Sequence, residues 1–363
     1  MNRSAYLVLE NGTVFEGKAF GAEKETTGEL VFTTAMTGYL ETLTDPSYFG
    51  QVVLQTFPLI GNYGVIASDF ETDSPCLKGY IVREWCQEPY NFRCEGNLDA
   101  FLKEKNVPGI CGIDTRALTR IVREVGVMAC RIQYTPEVTD ELLEELKNYR
   151  ITKAVESTTL TENEFFPAEH DPQWNVVLMD FGAKHNIGRQ LNKRGCNLTV
   201  VPAHATAEEV LALNPDGIML SNGPGDPAEN TAVIEELKKL SDSGVPMFGI
   251  CLGHQLLALA RGAQTQKLKY GHRGANQPVK DTTTGKVYIT SQNHGYAVVS
   301  ESLPADARVS YANGNDGTCE GVDYTDIPAF SVQFHPEACG GPLDTSFMFD
   351  RFVGMMKEYK ENN

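Results

Sequence analysis

Between Asn175 and Ala260 the sequence alternates four times between a short apolar run and an amphipathic stretch, and that rhythm leaves few folds open. The runs are NVVLMDF (175–181), NLTVVP (197–202), GIML (217–220) and VPMFGI (245–250). Each is too short for a helix of ordinary length, and its unbroken apolar character calls for burial on both faces. The stretches between them have helical spacing, as in AVIEELKKL, where Val233, Ile234, Leu237 and Leu240 share one face. Thr206 and Glu209 form a capping box at the start of another helix, and Gly195 closes the one before it. Such alternation predicts an α/β fold with a mostly parallel sheet flanked by helices, whose ligands sit at the carboxyl ends of strands. Two glycine-bearing loops, SNGPGDP (221–227) and GICLG (249–253), fall at such ends.

The remainder reads differently. Residues 151–173 are polar, without a sustained period, and read as a connector between a region 1–150 and a region 174–363. The first region is mixed α/β. AYLVLENGTVFEGKAFG gives two strands around an Asn11-Gly12 turn. DTRALTRIVREVG gives a helix with Leu118, Ile121, Val122 and Val125 on one face, and PEVTDELLEELKNY gives another. A chain of 363 residues suits two such domains. The net charge of −17 argues against a nucleic-acid surface, which needs a basic footprint. The start lacks the apolar core of a signal peptide, and the most apolar long window, 245–260, includes His254 and Gln255. A cytoplasmic protein without a membrane partner is expected. Nine cysteines, odd in number and without a CxxC pair, read as reduced thiols and not as a disulfide frame or zinc site.

One of them stands apart. In GICLG, Cys251 sits where a strand must turn abruptly into a helix, the device used by nucleophile elbows. Flanking glycines allow the tight turn and leave no side chains crowding the thiol. A helix starting near Leu252 would favour a thiolate, and the Leu252 N–H would point at a developing oxyanion. The same pattern also suits a small residue placed for tight strand-to-helix packing, and the motif alone does not separate the two. A nucleophile needs a base and the base an orienting group. Of seven histidines, His254 lies on the first turn of the cysteine's own helix and reads as a packing or polar-network residue. His335 follows PAFSVQF, another strand, and precedes Glu337 by two residues, across a stiffening Pro336.

Taken together, GICLGHQ, SNGPGDP and QFHPE (333–337) resemble the class I, triad-type glutamine amidotransferases. VFTTAMTGYLETLTDPSYFGQ (31–51), FPLIGNYG and GIDTRALTRIVREVG extend the resemblance over essentially the whole chain, to the small-subunit family of carbamoyl phosphate synthetases. The resemblance implies Cys251 as nucleophile, His335 as general base and acid, and Glu337 as its orienting group. It implies that L-glutamine is held by backbone groups of Gly223, Gly225, Leu252, Asn293, Gly295 and Tyr296 and by side chains of Ser47 and Gln255. Tyr296 stands where phenylalanine is common in the family, a change of little weight for a backbone contact. Ser47 implies that the N-terminal domain contributes to the site as well as meeting a large subunit. That large subunit would use the ammonia, in a heterodimer or a higher oligomer. No cofactor is expected in this chain: SNGPGDP lacks the lysine and hydroxyl pair of a nucleotide-binding loop, so ATP and Mg²⁺ are expected on the large subunit. The alternatives are an amidotransferase subunit of another synthetase, against which the N-terminal domain speaks, and a catalytically silent subunit, against which Cys251, His335, Glu337 and Gln255 speak.

Overall fold

In the computed structural model, which describes residues 3–362, strands Ser4–Leu9 and Val14–Gly21 pair antiparallel around the turn at Asn11 and Gly12, with Gly12 at φ 82°. The chain divides into two compact units, Met1–Thr152 and Lys153–Asn363.

The first unit is built on a closed barrel. Its order around the ring is Ser4–Leu9, Val14–Gly21, Pro108–Cys111, Gly79–Val82, Gln51–Gln55, Thr26–Thr33 and Met128–Gln133, which returns to the first strand. Four of these, from Pro108–Cys111 to Thr26–Thr33, run parallel, and the rest pair antiparallel. Closure removes exposed sheet edges. Helix Thr115–Val125 lies against the strands Thr26–Thr33 and Gln51–Gln55. Its buried face is narrower than the spacing implied: Thr115, Leu118 and Val122 are buried, whereas Val125 is 63% exposed. Val125 is the last helical residue, and Gly126 at φ 113° turns the chain away there.

The second unit centres on a ten-stranded sheet. Five strands run parallel, in the order Cys196–Pro202, Trp174–Asp180, Gly217–Leu220, Met247–Ile250 and Ala329–Val332. Antiparallel strands Cys319–Tyr324, Ala307–Asn313, Thr265–Asp281 and Val287–Val298 extend it on one side. The period of two sends alternate residues to opposite cores. Val177, Met179, Ile218, Leu220 and Met247 meet Val233, Leu237 and Leu240 of helix Thr231–Ser241 and Leu256 of helix Leu252–Ala260. Val176, Leu178, Met219, Phe248 and Ile250 meet Ile187 and Leu191 of helix His185–Asn192 and Phe349, Phe352 and Met356 of helix Phe347–Asn362. This double burial is why the central strands Gly217–Leu220 and Met247–Ile250 are apolar throughout. The capping box of Thr206 and Glu209 opens helix Ala207–Ala212.

Most of the stretch read as a connector belongs to the second unit. Glu164–Phe166 is its edge strand, antiparallel to Cys196–Pro202, and Val155 joins its core. No helix among the described residues is long and apolar enough to cross a membrane.

Candidate active site

Four neighbouring parallel strands deliver side chains to one end of the second unit's sheet. Strand Met247–Ile250 ends at Cys251, Ala329–Val332 leads to His335, Gly217–Leu220 opens into the loop containing Gly223, and Trp174–Asp180 leads to Lys184. The carboxyl ends of adjacent parallel strands lie side by side, so residues far apart in sequence converge there.

Cys251 is the strained residue of the turn, at φ 53° and ψ −102°, a backbone state that side chains other than glycine rarely adopt. The turn is held from three directions. The Cys251 N–H donates to the Val332 carbonyl (2.9 Å), Gly253 N–H to Ser221 O (3.0 Å) and Gln255 N–H to Cys251 O (3.2 Å). The flanking glycines do a different job from the one their spacing suggested: neither takes a positive φ. A Cβ on Gly249 would lie 2.8 Å from the Gly253 carbonyl oxygen, and one on Gly253 would lie 2.4 Å from that of Leu220. They allow helix Leu252–Ala260 to approach the sheet, while the strain falls on Cys251 itself.

The Cys251 thiol is buried and points at the Asn293 carbonyl, with Sγ at 3.8 Å. His335 and Glu337 are also buried, and Nδ1 of the imidazole lies 2.7 Å from Oε1 of the carboxylate. His335 Nε2 and Glu337 Oε2 are buried without a hydrogen bond. Burial is the largest influence on the imidazole and opposes its charging, as does the Lys184 ammonium; Glu337 and Cys251 outweigh both and raise its pKa to about 10. For Glu337, burial works upward, but His335 and then Lys184 hold the carboxyl below its ordinary range.

Lys184 was not singled out from the sequence, where a lysine at a helix start reads as surface charge. Its Nζ lies 3.3 Å from His335 Nδ1 and 3.5 Å from Glu337 Oε1, and the residue is buried. Asn222 fixes this segment, accepting the Lys184 N–H at 3.0 Å and donating to the Gly182 carbonyl at 3.0 Å. The available signal was position alone: Lys184 follows the end of a parallel strand by four residues.

The other expected residues fall as follows. Gly223 lets its loop close on the neighbouring strand end, since a Cβ there would stand 2.2 Å from the Phe181 carbonyl oxygen. Gly225 has φ 91°, and Leu252 opens the helix after Cys251, where first-turn N–H groups have no partner within the helix. Gln255 donates from Nε2 to the Tyr296 carbonyl (2.7 Å) and to Gln333 Oε1 (2.9 Å), which fixes its amide. Asn293, Gly295 and Tyr296 lie within four consecutive positions of strand Val287–Val298, an element the sequence reading did not identify. Ser47 belongs to the first unit, in the short turn Pro46–Tyr48, where its N–H donates to Asp45 Oδ1 at 2.9 Å. His254 is fully buried, with Nδ1 2.8 Å from Ser331 Oγ, and burial pushes its pKa down to about 3.

The placement of Lys184 makes a prediction. The Lys184 charge opposes protonation of His335. In Lys184→Met, the pH at which the His335 imidazolium loses its proton should move upward, as read by NMR titration of the ring. A variant that lost stability while keeping that titration in place would make Lys184 merely structural.

Comparison with known proteins places both units. The model for glutamine amidotransferase class-I matches residues 177–355, and that for the carbamoyl-phosphate synthase small chain, CPSase domain, matches residues 7–132. The carbamoyl phosphate synthase small chain of Staphylococcus epidermidis is 48% identical over 362 residues, covering 99% of this chain and 98% of that protein. That of Bacillus cereus is 52% identical over 356 residues, covering 98% and 96%.

Proposed function

Because this chain belongs to the family of carbamoyl phosphate synthase small chains, we propose that it hydrolyses L-glutamine at Cys251 and passes the ammonia to a large subunit that makes carbamoyl phosphate. The observation that carries the reading is the buried His335–Glu337 pair, at 2.7 Å, on the strand end beside a cysteine held at φ 53° at a helix start.

Cys251 and His335 react as a thiolate and an imidazolium. The thiolate attacks the side-chain amide carbon of glutamine, and the oxyanion that forms is met by the N–H groups of Gly223 and Leu252. As the C–N bond breaks, the His335 imidazolium gives its proton to the departing nitrogen, which leaves as neutral ammonia. Neutral His335 then takes a proton from water attacking the glutamyl thioester; the C–S bond breaks, glutamate leaves and the ion pair is restored. Glu337 stabilises the charged imidazole and fixes its orientation, and Lys184 holds Glu337. Backbone groups of Gly223, Gly225, Leu252, Asn293, Gly295 and Tyr296, with the side chain of Gln255, hold the substrate.

Ammonia serves as a nucleophile only while unprotonated and out of bulk water, so the exit belongs under a docked partner. ATP and Mg²⁺ act on that large subunit, and this chain requires no cofactor of its own. The complex works in the cytoplasm, and its product feeds pyrimidine or arginine synthesis. Comparing glutamine-dependent with ammonia-dependent carbamoyl phosphate formation, in the complex carrying Cys251→Ser, tests the reading.

A further inference from the structure

Away from Cys251, the second unit brings together two imidazoles and a buried carboxylate that the proposed reaction does not use. His272 and His294 are cross-strand partners on strands Thr265–Asp281 and Val287–Val298, with ring centroids 5.0 Å apart and planes nearly perpendicular. Glu320, on strand Cys319–Tyr324, is fully buried beside them. One ligand-type atom from each of the three lies within 4.8 Å of the others.

The surrounding hydrogen bonds decide which nitrogens are open. His294 Nδ1 is 2.8 Å from the Tyr296 carbonyl oxygen, which only accepts, so Nδ1 carries the hydrogen and Nε2 presents a lone pair. Gln292 turns its Oε1 toward Nε2 at 3.2 Å while its Nε2 donates to Thr290 Oγ1 at 3.2 Å, so no N–H occupies that lone pair. His272 Nε2 is 2.9 Å from the Asp316 carboxylate and therefore donates, which leaves Nδ1 facing Glu320 Oε1 at 3.3 Å. On a neutral ring those are two lone pairs facing each other, a contact relieved by a proton or by a metal ion bridging the two. Asn313 Nδ2 donates to the same oxygen at 2.9 Å, while Glu320 Oε2 is buried with no hydrogen bond. A carboxylate oxygen left so is costly unless something positive meets it.

We propose that His272 Nδ1, His294 Nε2 and the Glu320 carboxylate bind one divalent transition-metal ion of the zinc class, with water in the fourth position. Two imidazoles and a carboxylate are a donor set suited to zinc. Ligands on a tetrahedral ion with bonds of about 2.0–2.1 Å lie about 3.3–3.4 Å apart, and His272 Nδ1 and Glu320 Oε1 already stand at 3.3 Å. Asp316 and the Tyr296 carbonyl supply the outer hydrogen bonds that metal-bound histidines ordinarily make. The three ligands come from three strands and contain no cysteine, so the spacing rules that gave no metal site in the sequence do not reach them. The site also touches the glutamine machinery: His294 lies between Asn293 and Gly295, and it shares the Tyr296 carbonyl with Gln255.

The test is a Co²⁺ titration of the full-length chain after chelator treatment, followed by displacement with Zn²⁺. The expected result is one equivalent bound, with the visible bands of tetrahedral cobalt and no thiolate charge-transfer band in the near ultraviolet. The bands should be lost in Glu320→Gln and in His272→Asn and kept in Cys251→Ser. His272 is only partly buried, so His272→Asn decides the matter if Glu320→Gln does not fold. Absence of stoichiometric binding, bands that persist in a folded His272→Asn chain, or a thiolate band that disappears in Cys251→Ser would each overturn the site.

Discussion

In the complex carrying Cys251→Ser, glutamine-dependent formation of carbamoyl phosphate is expected to fall by about 10³-fold or more, while ammonia-dependent formation stays at the wild-type rate. Serine has nearly the shape of cysteine and can occupy the same strained turn, so strand Met247–Ile250 and helix Leu252–Ala260 should keep their places. What changes is the nucleophile. The Cys251 charge is one of the two influences that raise the pKa of His335 against burial and Lys184. A hydroxyl does not supply that charge near neutral pH, so the proposed pair loses its nucleophile and its proton donor together. Ammonia added from solution bypasses the step. If both activities fell equally, the substitution would be acting on assembly or folding, and the assignment of Cys251 would lose its support.

Gly253→Ala should be nearly as damaging for a different reason. The added Cβ would lie 2.4 Å from the Leu220 carbonyl oxygen and 2.7 Å from its Cβ. Leu220 sits on a strand paired on both sides within the parallel sheet and cannot give way, so the helix must. Lifting the helix breaks the Gly253 N–H bond to Ser221 and moves Cys251 with it. A loss of about 3 kcal/mol in a urea melt is expected from overpacking of this kind, with glutaminase activity falling alongside. Gly262→Ala is the control. That glycine has φ 89° but nothing within 4 Å of its missing Cβ, so only the backbone penalty of about 1 kcal/mol applies. Equal losses at the two positions would mean that conformation, not close approach, sets the requirement at Gly253.

What could be read from the sequence was whatever local pattern decides. The parallel strands of the second unit announce themselves because both faces are buried, and Cys251 because its flanking glycines mark a turn. The barrel of the first unit was not legible beyond its first hairpin and two helices. Its closure depends on pairings such as Ser4–Leu9 with Met128–Gln133, between segments more than a hundred residues apart. Strands Thr265–Asp281 and Val287–Val298 were missed because many of their positions are polar or exposed and their register shifts twice, which breaks any simple alternation. The backbone positions Asn293, Gly295 and Tyr296 could therefore be named only by resemblance. Lys184 was missed because its burial is decided by neighbouring strand ends and by Asn222, not by its own segment.

The central claim is that a covalent bond forms between glutamine's side-chain carbonyl carbon and Cys251. It is tested most directly by acid-quenching the complex during turnover of carbon-labelled glutamine and mapping the label. The mechanism predicts label on the peptide containing Cys251, released by hydroxylamine and absent in Cys251→Ser. Full turnover with no label on that peptide, or label carried by another of the nine cysteines, would contradict it.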